Sequence, residues 1–156
     1  MQNFIDEGYV KYIHDDFSQH VQSNKIEAKY SILSSHRVLH LLSTPELVQE
    51  FKKAISYAAK DEALIVLSAR DKRDYNNKQM KWVNKDTGIA QYKNRPDHII
   101  HFWSEERFRK EFEDISNEFN IISIVQGHEI ESIENKGVHS YYTTMVAHRK
   151  PRLDVI

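Results

Sequence analysis

The sequence predicts an α/β domain with a three-layer arrangement. Its sheet is expected to be mainly parallel, with an antiparallel strand pair at the C-terminal end. Three observations carry this. Ala63-Leu64-Ile65-Val66-Leu67 is continuously apolar, as a strand covered on both faces requires. Two segments with apolar residues at helical spacing alternate with strand-like runs. The last two strand-like runs are joined by Asn135-Lys136-Gly137, a turn signal between antiparallel neighbours.

The elements follow in order. Val10-Lys11-Tyr12-Ile13-His14 and Tyr30-Ser31-Ile32-Leu33-Ser34-Ser35 are short strand candidates. Ser43-Thr44-Pro45-Glu46 has the S-x-x-E form of a capping box, with proline suited to the first helical turn. Leu47, Phe51, Ala54, Ile55 and Ala58 then form one apolar helix face. Ser104 is an N-cap candidate, with Glu105 and Glu106 favouring the helix dipole. Phe108, Phe112, Ile115 and Phe119 form the buried stripe of that second helix. Strands are expected from Ile121 to Val125 and from Val138 to His148. The expected core includes Ile32, Leu33, Leu47, Phe51, Ile55, Leu64, Val66, Phe108, Phe112, Ile122, Ile124 and Val146. Residues 70–97 show no sustained period and read as a long inserted loop. They leave the carboxyl end of the central strand, where open α/β sheets bind ligands. A surface excursion with its own small hairpin or helix is the alternative.

The chain has 156 residues and a net charge of −1. That size fits one domain. That balance gives no global field for nucleic acid or an anionic membrane. No apolar run approaches the roughly 20 residues of a membrane span. The first residues do not read as a secretory signal, so a cytoplasmic location is expected. The absence of cysteine excludes disulfides, thiolate metal sites and cysteine nucleophiles. With four glycines in all, no glycine-rich phosphate or dinucleotide loop exists.

His36 and His40 stand four apart, a spacing that two metal ligands share on a helix. No third ligand sits at a matching spacing, so they are read as part of a strand-to-helix connection and no metal is expected. His98 and His101, if extended, face opposite sides of a strand. No G-x-S-x-G elbow supports a hydrolase triad. Asp15-Asp16 follows a strand and can accept hydrogen bonds from a ligand, or form a solvated turn. Arg70, Arg73 and Arg95 can clamp a carboxylate or phosphate, or be solvated loop residues.

Taken together, these segments resemble a known family. Tyr30-Ser31-Ile32-Leu33-Ser34-Ser35-His36-Arg37-Val38-Leu39-His40-Leu41-Leu42 looks like the fourth strand and following turn of class I S-adenosylmethionine-dependent methyltransferases. Asp97-His98-Ile99-Ile100-His101-Phe102-Trp103-Ser104-Glu105-Glu106 resembles a segment of the small-molecule and tellurite-resistance-type members. The helix over residues 45–59 and the strand over 63–68 match the next helix and strand. Val10 to Phe17 resembles the third strand and its Asp-Phe turn.

The resemblance covers residues 9–150 and corresponds to the second half of the family's domain, without the glycine-rich cofactor turn. It implies that Asp16 contacts the adenine amino group of S-adenosylmethionine, that Phe17 packs on the ring, and that Ser35 lies at the cofactor. It implies His40, Arg70, Tyr75, Trp82, Arg95 and His98 as substrate contacts, with no catalytic residue assigned. The function it implies is methyl transfer to a small molecule, incomplete in this chain alone, with the cofactor site completed by another chain. A homodimer or a partner chain would then cover the Tyr30–Ser35 edge. The alternative is a non-catalytic binding or regulatory module that acts through protein contact.

Overall fold

A computed structural model describes Phe17, Ser18, Val21 and residues 29–76, 78–133 and 136–152. The expected strand over residues 10–14 and the Asp15-Asp16 pair lie outside the described residues. In chain order the elements are β1 (Tyr30–Ser35), α1 (Pro45–Ala58), β2 (Ala59–Arg70), β3 (Met80–Asn84), β4 (Ile89–Tyr92), β5 (Arg95–His101), α2 (Glu105–Glu111), β6 (Phe119–Ile133) and β7 (Lys136–Arg149).

The main sheet has the order β1-β2-β7-β6. β1 runs parallel to β2, whereas β2–β7 and β6–β7 are antiparallel. The α/β class and the antiparallel terminal pair are as expected. The sheet itself is mixed, because β7 inserts between β2 and β6. One face of it is a packed core. Ala63, Ile65, Leu67 and Ala69 alternate along β2 and meet Met145 and Ala147 of β7. Val48, Phe51 and Ile55 of α1, Trp103, and Phe108 of α2 cover them. Both helices therefore lie on the same face.

Several expected core residues lie elsewhere. Ile32 is 65% exposed, since it projects on the opposite sheet face beside Leu64. Ile122 is exposed because the ladder shifts register between Ile121 and Ser123. That bulge reverses side-chain parity, so Ile121 and Ile124 pack inward instead. Leu47 is exposed, and Val48 takes the core position one residue on. Leu64, Val66 and Val146 are half-buried on the face without a described helix. Phe119 begins β6 rather than ending α2.

The helix starts follow capping chemistry. Thr44, not Ser43, caps α1: its Oγ1 accepts from the Leu47 amide at 3.3 Å, with Pro45 in the first turn. Ser104 caps α2 by accepting from the Arg107 amide at 3.2 Å. Each such cap contributes about 1 kcal/mol. Lys52 sits in the apolar stripe of α1 and is almost fully buried. Its Nζ donates to the Asp114 carboxylate at 2.7 and 2.8 Å and to the Glu111 carbonyl at 2.5 Å.

Residues 70–97 are not a loop. β3, β4 and β5 form an antiparallel three-stranded sheet in that order. Met80, Ala90, Ile100 and Phe102 form its own small core. Gly88 closes the β3–β4 turn at φ +73°, a left-handed conformation that side-chain-bearing residues rarely adopt. Tyr75 stacks on Trp82 with centroids 4.1 Å apart and 13° between the planes.

Candidate functional site

β1 and β2 end side by side, and the chain leaving each end builds a cleft of about 920 Å³. Arg37, His40, Arg70, Arg73, Tyr75 and Gln79 are among its lining residues. This is the carboxyl end of a parallel strand pair, the usual ligand position in open α/β sheets.

Arg37 lies two residues past the end of β1, at φ 54°. A non-glycine residue is held there only where its surroundings fix it. Its amide donates to the Ser68 carbonyl at 2.9 Å and to Ser68 Oγ at 3.1 Å. The Arg37 Nη2 group donates to Glu129 at 3.1 Å. The next turn, a 3-10 helix over Leu39–Leu41, carries His40. His40 is 7% exposed, and its Nδ1 is buried with no hydrogen-bond partner. Burial first, and then the charges of Arg70 and Arg37 and nearby His98, push its pKa down to about 3. The imidazole is therefore neutral at physiological pH.

Arg70 ends β2. Its Nε donates to Asp74, and its Nη1 donates to the Tyr92 hydroxyl at 2.9 Å. Burial opposes its charge, but Tyr92 and Asp74 outweigh burial and raise the pKa further. The turn that follows is pinned by two carboxylates. Asp71 Oδ1 accepts from the amide and Nε of Arg73 at 2.9 and 2.8 Å, and Oδ2 accepts from Thr143 Oγ1 at 2.9 Å. Burial would raise the Asp71 pKa, but these bonds prevail and lower it, so it stays ionised. Asp74 Oδ1 accepts from the Tyr141 amide of β7 at 2.9 Å. The Arg70 guanidinium is thereby clamped between the main sheet and the small one.

A second cleft, of about 550 Å³, adjoins the first and shares Gln79 with it. Lys78, Tyr92, Arg95 and His98 are among its lining residues. The Arg70–Tyr92 hydrogen bond links the walls of the two clefts.

The structure thus brings His40, Arg70 and Tyr75 into one cleft and Arg95 and His98 into its neighbour. Trp82 lines neither; it supports Tyr75 from behind and meets Phe102 edge-on at 5.6 Å. Phe17 and Ser35 do share a pocket, but an apolar one of about 190 Å³, with Leu33, Val38, Phe51 and Leu67. Phe17 is helical, and its ring packs on Phe51 at 5.8 Å. Asp16 lies outside the described residues. Sequence reasoning passed over Arg37, Asp74 and Tyr92 as site residues. The Asp-x-Arg-Asp pattern of residues 71–74 was the available signal for the pinned turn. Among the described residues, no group of three or more His, Asp or Glu side chains is placed to hold a metal.

Among the described residues, the pocket shared by Phe17 and Ser35 has no charged lining residue and is smaller than the roughly 300–1,000 Å³ of pockets that hold ligands the size of S-adenosylmethionine, and Asp16 lies outside the described residues.

Gly127 supports the cleft from outside. It pairs with Tyr142 across β6 and β7, and a Cβ added there would meet the Tyr142 ring at 2.6 Å. That ring lies 5.8 Å from the Arg37 guanidinium and 6.1 Å from the His36 ring. Gly127→Ala is expected to displace Tyr142 and cost about 1 kcal/mol, the low end for overpacking. Urea unfolding measures the loss, and a shift of the Arg37 NMR signals reports the displaced ring. Unmoved Arg37 signals would contradict this linkage.

No protein-family model matches the chain, and no curated protein matches it significantly. Solved structures do. An S-adenosylmethionine-dependent methyltransferase from Methanosarcina mazei is 13% identical, with a TM-score of 0.61 over 81% of this chain and 62% of that one. A protein solved in work on the conversion of a disulfide bond into a thioacetal group during echinomycin biosynthesis is 12% identical, with a TM-score of 0.62 over 98% and 62%. An S-adenosylmethionine-dependent methyltransferase from Clostridium acetobutylicum is 11% identical, with a TM-score of 0.61 over 97% and 69%. The chain spans about three fifths of the first two proteins. The fold is therefore that of the class I S-adenosylmethionine-dependent methyltransferases, a Rossmann-like α/β architecture. At these identities the likeness is one of fold.

Proposed function

We propose that this chain is a methyltransferase-like protein whose cleft at the ends of β1 and β2 receives a small-molecule methyl acceptor. The carrying observation is the position of that cleft. It opens at the carboxyl ends of a parallel strand pair, in a fold shared with S-adenosylmethionine-dependent methyltransferases. The resemblance of residues 97–106 favours the small-molecule, tellurite-resistance-type branch, and the chain corresponds in this reading to the second half of the family's domain. His40, Arg70, Tyr75, Arg95 and His98 are the acceptor contacts.

In the same reading, S-adenosylmethionine is held chiefly by residues of another chain, a second copy or a partner. Among the described residues, β1 pairs on one side only, with β2. Such an edge, on an apolar strand, is a template for pairing. Calorimetric titration with S-adenosylmethionine tests the cofactor reading. The chain alone is expected to show no submillimolar binding and no turnover. Submillimolar binding by a strict monomer, checked by sedimentation equilibrium at micromolar concentration, would overturn it.

A second reading has one observation in its favour: the small size of the Phe17–Ser35 pocket. In that reading the chain is a non-catalytic binding or regulatory module acting through protein contact. An assembly that forms in sedimentation yet binds no S-adenosylmethionine would select it.

A further inference from the structure

The two joined clefts are unusually cationic for a chain of net charge −1. Arg37, Arg70 and Arg73 line one; Lys78, Lys93 and Arg95 line the other. Asp74 is the one carboxylate among these lining residues, and both its oxygens are engaged, by Arg70 and by the Tyr141 amide, while Glu129 and Asp71, outside the lining, pair with Arg37 and Arg73. It fixes an arginine in place more than it neutralises the cleft.

Arg70 is the centre of the arrangement. Asp74 holds Nε and the Tyr92 hydroxyl holds Nη1, which together set the plane of the guanidinium. Its Nη2 has no hydrogen-bond partner among the described residues. A planar cation whose plane is already fixed loses little freedom when an oxyanion docks on it, and guanidinium geometry suits carboxylate and phosphate oxygens. Two further features of the same cleft point to a ligand. Arg37 sits in a left-handed conformation two residues beyond β1, and strain of that kind concentrates at functional sites. The His40 side chain is more than nine-tenths buried, yet its Nδ1 is unsatisfied. A buried polar atom without a partner calls for an explanation such as a missing ligand group or water.

We propose that the joined cleft binds a small molecule through an oxyanion, a carboxylate or a phosphate, seated on Arg70, with Arg37 and Arg73 lining the same space. This deepens the acceptor reading above and rests on that cleft being the ligand site. Gln79, common to both clefts, lies where the rest of an elongated ligand would pass. Tyr92, bonded to Arg70 and in ring contact with His98 at 5.3 Å, forms the wall between them.

The test uses phenyl phosphate, benzoate and uncharged benzamide, titrated at constant ionic strength without S-adenosylmethionine. Binding is followed by NMR through the Arg70 Nε–H signal and the Gln79 side-chain amide. Both anions, or one of them, are expected to bind at least tenfold more tightly than benzamide. A phosphate preference identifies a phosphorylated ligand, and a benzoate preference a carboxylate. Arg70→Gln is expected to weaken anion binding tenfold or more. That change removes one partner of Asp74, so Arg73→Gln, which leaves Asp71 its bonds from the residue-73 amide and Thr143, serves as a second variant, with an expected loss of about threefold. Arg109→Gln, on α2 away from the clefts, is expected to change nothing. Anions and benzamide binding equally well would overturn the charge assignment and leave the acceptor cleft intact. No saturable binding at these signals, or anion binding undiminished in both cleft variants, would overturn the proposal. Because the cofactor is absent throughout, a failure to bind S-adenosylmethionine has no bearing on the result.

Discussion

Replacing Asp114 by alanine is expected to destabilise the protein by about 2–3 kcal/mol, and replacing Lys52 by methionine by much less. The asymmetry comes from where the two charges sit. The Lys52 side chain is 2% exposed and the Asp114 side chain 49%. Removing the carboxylate leaves a buried ammonium with, among the described residues, the Glu111 carbonyl as its one hydrogen-bond partner and the Phe112 ring 6.0 Å away. Removing the ammonium leaves a carboxylate that water already reaches, while methionine keeps the aliphatic stem in the α1 stripe. The partial exposure of Asp114 is the reason for placing the loss below the upper range for buried pairs. Urea unfolding of both variants at neutral pH measures the difference, and equal losses would refute the account. Burial would raise the Asp114 pKa, but the Lys52 and Gln49 hydrogen bonds prevail and lower it. Its contribution is therefore present above the unfolded carboxylate pKa and is lost as pH falls through the lower folded value.

His40 gives the second large effect, and its sign is opposite to that of a histidine gaining an acidic partner. Its pKa falls from 6.5 to about 3 on folding. Between these values the unfolded chain binds a proton that the native protein does not, so stability falls as pH drops below 6.5. From pH 7 to pH 5 the wild type is expected to lose about 2 kcal/mol more than His40→Gln, which cannot titrate. His101, also lowered by burial and by Arg107, contributes equally to both proteins and cancels. Parallel stability–pH curves for the two proteins would show that His40 is not held neutral. An oxyanion on Arg70 would offset part of the charge that depresses His40, so the ligand should flatten the wild-type curve.

How much of this was legible in the sequence depends on how local the deciding interaction is. The cap at Ser104 and the antiparallel pairing of β6 with β7 follow from neighbouring residues, and both are as read, although Lys136 and Gly137 belong to β7 and Asn135 lies outside the described residues. The α1 cap fell one residue late because Ser43 and Thr44 are both competent, and only the geometry before Pro45 chooses between them. The Ile122 error has a similar origin: period two is the right rule for a strand, but a bulge changes its phase without a mark in the composition. The β3–β5 sheet was hidden by its polar outer face. Its strands are short, and its core is completed by Phe102 and Tyr75, which lie outside the strands themselves.

The site divided along the same line. Arg70 was legible as a cation leaving the end of the central strand, and His40 came from the resemblance alone; the structure places both in one cleft. Arg37 was not legible, because its left-handed backbone depends on Ser68, 31 residues away. Phe17 was assigned to a cofactor turn by resemblance; its ring packs against Phe51 and lines a pocket with Ser35.

The pairing of β6 with β7 bears on how the chain folds. These strands of 15 and 14 residues are consecutive in sequence, so each rung zips onto the last with almost no loop to close. A hairpin of this kind forms in about 1–10 μs. β2 sits in the middle of the sheet but meets β7 only through pairs such as Leu64 with His148, 84 residues apart. Closing a loop of that length costs entropy that no single rung repays. The expected order is therefore hairpin first, with β2 docking late and carrying β1 and α1 into place. Substitutions along β6 should then alter the folding rate, while those at the β1–β2 contact should mainly alter the rate of unfolding.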